Sequence, residues 1–230
     1  PPPPHQPPPP PHPPTRDSIR RQRQMCIRDS IQALLDKCGF RSKGIFVMDG
    51  SRRSGHGNAY FTGFGSNKRI VFFDTLLESL SPEEIEAVLA HELGHFKLKH
   101  IQKRLLSTSA LSLAALALLG WLAGQDWFYH GLGVSQPSAW MALMLFMMVL
   151  PVFTFFIQPV MSLLSRKHEF EADAYAVQQS SGADLIHALV KMYRENASTL
   201  TPDPLYSAFH DSHPPAPVRI SHISANMSTT

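Results

Sequence analysis

The residues His91-Glu92-Leu93-Gly94-His95 combine a type and a spacing that specify chemistry. On a helix, side chains four apart leave the same face about one turn apart, so His91 and His95 can offer two imidazole nitrogens to one Zn²⁺. Glu92 is then placed to act as general base on a water that the metal activates. The pentapeptide alone also suits a helix with two surface histidines and a solvated glutamate. A third ligand elsewhere in the chain decides between the two.

The stretch Ser165 to Ala176 offers His168, Glu169, Glu171 and Asp173. On a helix Glu169 and Asp173 share a face, whereas Glu171 points roughly 200° away from Glu169. Glu169 can complete a catalytic site of two histidines and one glutamate, leaving a fourth position for water. Asp173, one turn on, can accept the free ring N–H of a ligand histidine and fix its tautomer. An exposed acidic helix start, favoured by the helix dipole, is the plainer alternative. A histidine third ligand fits less well. In the extended pattern H-E-x-x-H-x-x-G-x-x-H, Leu98 and Ile101 occupy the glycine and histidine positions. His100 misses that register by one and reads as a solvated interfacial histidine. Further on, Phe209 to Arg219 is stiffened by prolines, and either His213 or Arg219 could stabilise an oxyanion; a structural cap is the alternative.

Several elements must position these groups. Ser81 is a good N-cap, Pro82 suits the first helical position and Glu84 completes a capping box, which predicts a helix running to Lys99. Before it, Ile31 to Cys38 reads as a short helix closed by Gly39. Three strands follow, over Lys43–Asp49, Gly55–Gly65 and Arg69–Asp74. The edge of such a sheet can pair with an extended peptide backbone and hold its carbonyl near a metal. After the paired histidines come two uncharged runs, at about 105–124 and 140–164, each long enough to cross a bilayer, with Pro151 and Pro159 as kinks in the second. Lys97, Lys99, Lys103 and Arg104 precede the first run and Arg166-Lys167 follow the second, while the connecting loop has no Lys or Arg. Both basic ends then face the cytoplasm, and the hairpin returns the chain to the side that holds His91 and His95. A buried core hairpin is the soluble alternative. The fold class expected is a mainly α membrane protein: zinc-peptidase active-site helices, a small β-sheet and a two-span transmembrane hairpin.

Bulk properties narrow the partners. The 230 residues carry a net charge of +3 without a concentrated basic patch on a foldable segment, so no nucleic-acid partner is expected. Cys26 and Cys38 provide neither a disulfide framework nor a cysteine metal site, which leaves histidine and carboxylate to hold any metal. Pro1 to Pro14 is too proline-rich for helix or sheet. Arg20 to Ser30 resembles translated sequencing-adapter read-through. Residues 1–30 are therefore read as disordered or artefactual, and 31–230 as the catalytic domain. Without an initial Met or a signal pattern, the chain reads as lacking its N-terminal portion.

Together these blocks resemble the type I CAAX prenyl protease family of membrane zinc metallopeptidases. The resemblance runs from about Cys38 to Ile223. It rests on Asn58-Ala59-Tyr60-Phe61 with Lys68 to Leu77, on the HELGH pentapeptide continued by Lys97 and His100, on Ser165-Arg166 with Glu169, Ala172 and Asp173, and on Ser212-His213-Pro214-Pro215 with Arg219. It implies that His91, His95 and Glu169 bind one Zn²⁺ per chain, with Glu92 as catalytic base and His213 and Arg219 at the active centre. It places Asn58, Ala59 and Tyr60 near the substrate. It further implies a multi-pass protein embedded in membrane lipid, in a bacterial inner membrane or the endoplasmic reticulum, of which this chain holds the last two of seven spans. Peptide or protein substrates are expected, either prenylated proteins losing a C-terminal tripeptide or, in bacteria, membrane proteins more broadly. The alternatives are a stress-induced bacterial quality-control protease, which lacks the Asn58-to-Phe61 wording, and a non-catalytic scaffold for lipidated peptides.

Overall fold

Ile27, Ile31, Leu34, Leu35 and Cys38 recur at helical spacing and are all buried. In the computed structural model, which describes residues 16–40, 44–50, 52, 59–62, 69–195 and 201–228, they line one face of α1 (Arg16–Lys37) and the turn that ends it. Gly39, at φ 60°, closes the helix as expected, with Phe40 N–H donating to the Leu35 carbonyl at 2.8 Å. The expected start of folded chain at Ile31 is corrected. The helix begins at Arg16, Ile27 joins the core, and the Ser30 hydroxyl bonds the Glu86 carboxylate. Composition hid this, because one apolar stripe suffices for a helix that leans on a larger core. Residues 1–15 lie outside the described part.

Three short strands follow: β1 (Ile45–Met48), β2 (Ala59–Thr62) and β3 (Arg69–Phe73). Their order is β1-β3-β2, with β1 parallel to β3 (Ile45 opposite Ile70) and β2 antiparallel to it (Ala59 opposite Phe72). Ile70 and Phe72 point alternately from β3 into the core. The chain then passes through α2 (Asp74–Ser79) into α3 (Pro82–Lys97).

Helix α3 is the centre of the molecule. Its start is the expected capping box: Glu84 N–H donates to the Ser81 hydroxyl at 3.3 Å, and Ser81 N–H donates to the Glu84 carboxylate at 2.7 Å. Ile85, Ala87, Val88, Leu89, Ala90 and Leu93 are buried against α1, β2 and the later helices. Gly94 lets another helix come close, since a Cβ there would lie 3.0 Å from the Cα of Ala172. Lys99, at φ 58°, breaks the chain direction between α3 and α4 (His100–Leu122).

The hairpin begins with α4, passes through α5 (Asp126–Gly131) and returns as α6 (Ala139–Gln179). Phe128, Tyr129, Ala142, Leu145 and Phe146 close its far end, where the Tyr129 hydroxyl is shared between the carbonyls of Ala123 at 2.9 Å and Ser138 at 3.3 Å. Both helices are long and apolar enough to cross a membrane, and only 6% and 17% of their most apolar windows are buried within the protein. Such bare leucine and phenylalanine is foreign to a soluble core hairpin. The span limits differ from the sequence reading: α4 starts at His100, and α6 continues through Pro151, Pro159 and Arg166 without a break. Three shorter helices complete the described fold: α7 (Gly182–Glu195), α8 (Pro204–His210) and α9 (Ala216–Met227). α7 packs on α3, while α8 and α9 pack on α6.

Candidate active site

The close pass of α3 over α6 at Gly94 and Ala172 sets the histidines of one helix against the carboxylates of the other. His91 Nε2 and His95 Nε2 lie 3.2 Å apart. The Glu169 carboxylate faces both, with its oxygens 3.6 Å from His91 Nε2 and 3.2 Å from His95 Nε2. One donor atom from each of the three residues falls within a 4.8 Å span.

The hydrogen count at His91 shows which atoms are available. Asp173 is fully buried, and its carboxylate accepts from His91 Nδ1–H at 2.8 Å. A carboxylate only accepts, so neutral His91 keeps its lone pair on Nε2, the atom turned toward His95 and Glu169. Two imidazole nitrogens and a carboxylate oxygen converging in this way fit a divalent metal such as zinc. Solvated side chains would spread apart.

Arg219, at the start of α9, is buried and binds Asp173 with two prongs, Nε to Oδ2 at 2.9 Å and Nη2 to Oδ1 at 2.5 Å. Its Nη1 lies 3.5 Å from Glu169 Oε2. Burial opposes the guanidinium charge, but the hydrogen bonds it donates to Asp173 and the charges of Asp173 and Glu169 outweigh it and raise its pKa. His213 arrives on the loop between α8 and α9, with Nδ1 3.1 Å from Glu169 Oε2. That hydrogen bond raises the imidazole pKa above its ordinary value, against the opposing effect of burial.

Glu92 lines the same cavity, of about 330 Å³, together with His91, His95, Glu169, His213 and Arg219; Leu76, Val88, Leu185 and Leu189 form apolar wall. Thus the chain brings together every histidine, carboxylate and arginine singled out in its sequence for this centre. Asn58 and the side chains of Ala59 and Tyr60 lie outside the described residues, although the backbone of β2 is the outer strand of the sheet on the side next to α3.

His100 is corrected. It is buried, not solvated, because the left-handed turn at Lys99 swings it back beneath α3, with Nδ1 3.0 Å from His95 Nδ1. Two supports escaped the sequence reading. The Arg166 guanidinium donates to the carbonyls of Ser207 at 3.0 Å, Ala208 at 3.1 Å and Asp211 at 2.9 Å, gathering the end of α8 just before His213. The Tyr193 hydroxyl donates to the Pro214 carbonyl at 3.3 Å, just after it. An arginine directly after an apolar span was a usable signal for the first. Nothing local marked Tyr193.

Residues 21–227 match the family model described as Peptidase family M48. The chain is 38% identical over 211 residues to CAAX prenyl protease 1 of Saccharomyces cerevisiae, covering 85% of this chain and 47% of that protein. It is 32% identical over 228 residues to the human CAAX prenyl protease 1 homolog, covering 82% of this chain and 48% of the relative. Among solved structures, the crystal structure of S. mikatae Ste24p is similar with a TM-score of 0.78 at 38% identity, over 86% of this chain and 49% of that one. The chain thus spans about half the length of the relatives it matches. With the family model covering both the paired histidines and the distal glutamate, the chain belongs to peptidase family M48.

Proposed function

We propose that this chain is the catalytic part of an integral-membrane zinc endopeptidase that removes the C-terminal tripeptide of prenylated CAAX proteins on the cytoplasmic side of its membrane. The observation that carries the reading is the convergence of His91, His95 and Glu169 from two helices on one point, beside a cavity that Glu92 also lines. Substrate class follows from the names of the relatives, and orientation from the basic residues at both ends of the hairpin.

His91, His95 and Glu169 would hold one zinc ion, with Asp173 fixing the His91 tautomer. When bound, zinc supplies Lewis acidity, which activates water and polarises a carbonyl at neutral pH. Glu92 takes a proton from the attacking water as its oxygen bonds to the peptide carbonyl carbon. It then gives that proton to the leaving nitrogen as the C–N bond breaks. His213, which lines the cavity, donates to the carbonyl oxygen as negative charge develops there. Arg219 has committed two of its five N–H donors to Asp173, so its share of that task rests on the remaining N–H groups of Nη1 and Nη2. The outer strand β2, to which Ala59 and Tyr60 belong, pairs with the extended substrate backbone, and Asn58, next to it in sequence, contacts the substrate.

Glu92→Gln in the intact membrane protein tests this. Cleavage of a farnesylated CAAX peptide is expected to fall by about 10²–10⁴-fold with zinc content unchanged. Wild-type cleavage by that variant overturns the mechanism and favours a scaffold.

A further inference from the structure

The two metal-facing histidines are supported differently. His91 leans on Asp173 directly, whereas among the described residues no carboxylate meets His95 at its Nδ1. There it meets His100 Nδ1 at 3.0 Å, and His100 Nε2 lies 2.9 Å from Glu171 Oε2. His100 is only 3% exposed. His168 stacks on its ring, with centroids 4.2 Å apart and planes 12° from parallel.

Counting hydrogens along this row fixes each atom. The Glu171 carboxylate only accepts, so His100 Nε2 carries the proton it receives. Neutral His100 then has a lone pair at Nδ1, and His95 Nδ1–H donates to it. That leaves the His95 lone pair on Nε2, the nitrogen 3.2 Å from Glu169 Oε1. We infer that His100 and Glu171 are positioning residues, an imidazole–carboxylate relay that sets the tautomer and ring orientation of His95 for the metal as Asp173 does for His91. The relay presupposes the zinc site proposed above. It also explains the spacing of acids on α6: Glu169 faces the metal point, Asp173 supports one histidine, and Glu171 supports the other from the far side.

His100, His168 and Glu171 invite a rival reading, since their donor atoms also fall within 4.8 Å of one another. Ring stacking opposes a second metal. An imidazole lone pair lies in the plane of its ring, and two nearly parallel planes separated by a stacking distance share no point between the rings. The Glu171 oxygen is moreover already engaged with His100 Nε2–H.

Zinc affinity of the intact protein, measured by competition with a chelating dye, separates these readings. Wild type is expected to hold one zinc. His100→Phe keeps the ring stack but removes both nitrogens, and Glu171→Leu removes the acceptor; each is expected to weaken zinc binding by about 10–100-fold. Glu171→Gln, whose side-chain oxygen still accepts from His100, is expected to restore most of that loss. Unfolding of the metal-free variants should match wild type. Should His100→Phe not fold, the Glu171 pair, on a side chain 34% exposed, gives the same comparison. Wild-type affinity in folded His100→Phe or in Glu171→Leu overturns the relay, as does loss of a second zinc equivalent without weakening of the first. A wild-type protein that holds no zinc overturns the proposed function as well, so the two failures are distinguishable.

Discussion

Helix α6 meets two kinds of surroundings along a single axis. In its first part Met148, Phe153 and Phe156 stand bare, while in its last part Glu169 and Asp173 are buried. In water both arrangements would be inverted. The bare part therefore needs an apolar solvent, which a bilayer supplies, and the buried carboxylates need specific partners, which α3 and α9 supply. The comparison teaches that burial alone does not locate the core of this protein. What counts is whether each group finds its complement.

Substitutions on the two sides should therefore obey opposite rules. The largest effect is expected from Asp173→Leu, which is apolar yet leaves Arg219 buried without its partner: unfolding measurements should show a loss of about 3–5 kcal/mol. A neutral or stabilising result would mean that the polar centre is ordinary core. Next comes Leu113→Arg in the middle of α4, a side chain 66% exposed in the protein. A membrane-insertion assay should register about 2.5–3.5 kcal/mol against insertion, whereas a water-facing leucine would accept arginine freely. At the junction of the two regimes, Arg166→Met should cost about 1.5–3 kcal/mol by stranding carbonyls at the end of α8, and raise KM by loosening the approach to His213. Unchanged stability and KM would remove Arg166 from the site's support. The smallest contrast is between two glycines. Gly94→Ala would push against the Ala172 backbone and is expected to destabilise by about 1–3 kcal/mol and weaken zinc binding. Gly120→Ala meets nothing within 4 Å and should stabilise its helix by about 0.5–1 kcal/mol. If both substitutions act with the same sign, the tight crossing of α3 and α6 is not what holds the histidines near Glu169.

Much of this is legible in the sequence alone. The capping box at Ser81 and Glu84 and the His91–His95 spacing are local patterns, and local patterns fix a helix and its faces. The return of Glu169 to the same side was legible because two uncharged runs of spanning length leave the chain little choice. Other features depended on distant partners. The parallel pairing of β1 with β3 is not encoded in four- and five-residue strands, whose hydrogen bonds any extended neighbour can satisfy. A lysine gives no hint that it will adopt a left-handed turn, so the burial of His100 was missed. The Ile27-to-Cys38 stripe was visible at helical spacing, but the arginine- and glutamine-rich text before it masked the helix's true start.

The unbroken course of α6 has a mechanical side. A rod planted in lipid and carrying Glu169 beyond it acts as a lever. From Pro159 to Glu169 is ten helical residues, or about 15 Å, so a tilt of about 4° at the proline swings the glutamate by about 1 Å. Displacements of that size alter enzymatic rates by about a hundredfold. Such rods accommodate a change in bilayer thickness partly by tilting, so, given the metal-binding role proposed for Glu169, thickness is expected to reach the chemistry at its tip.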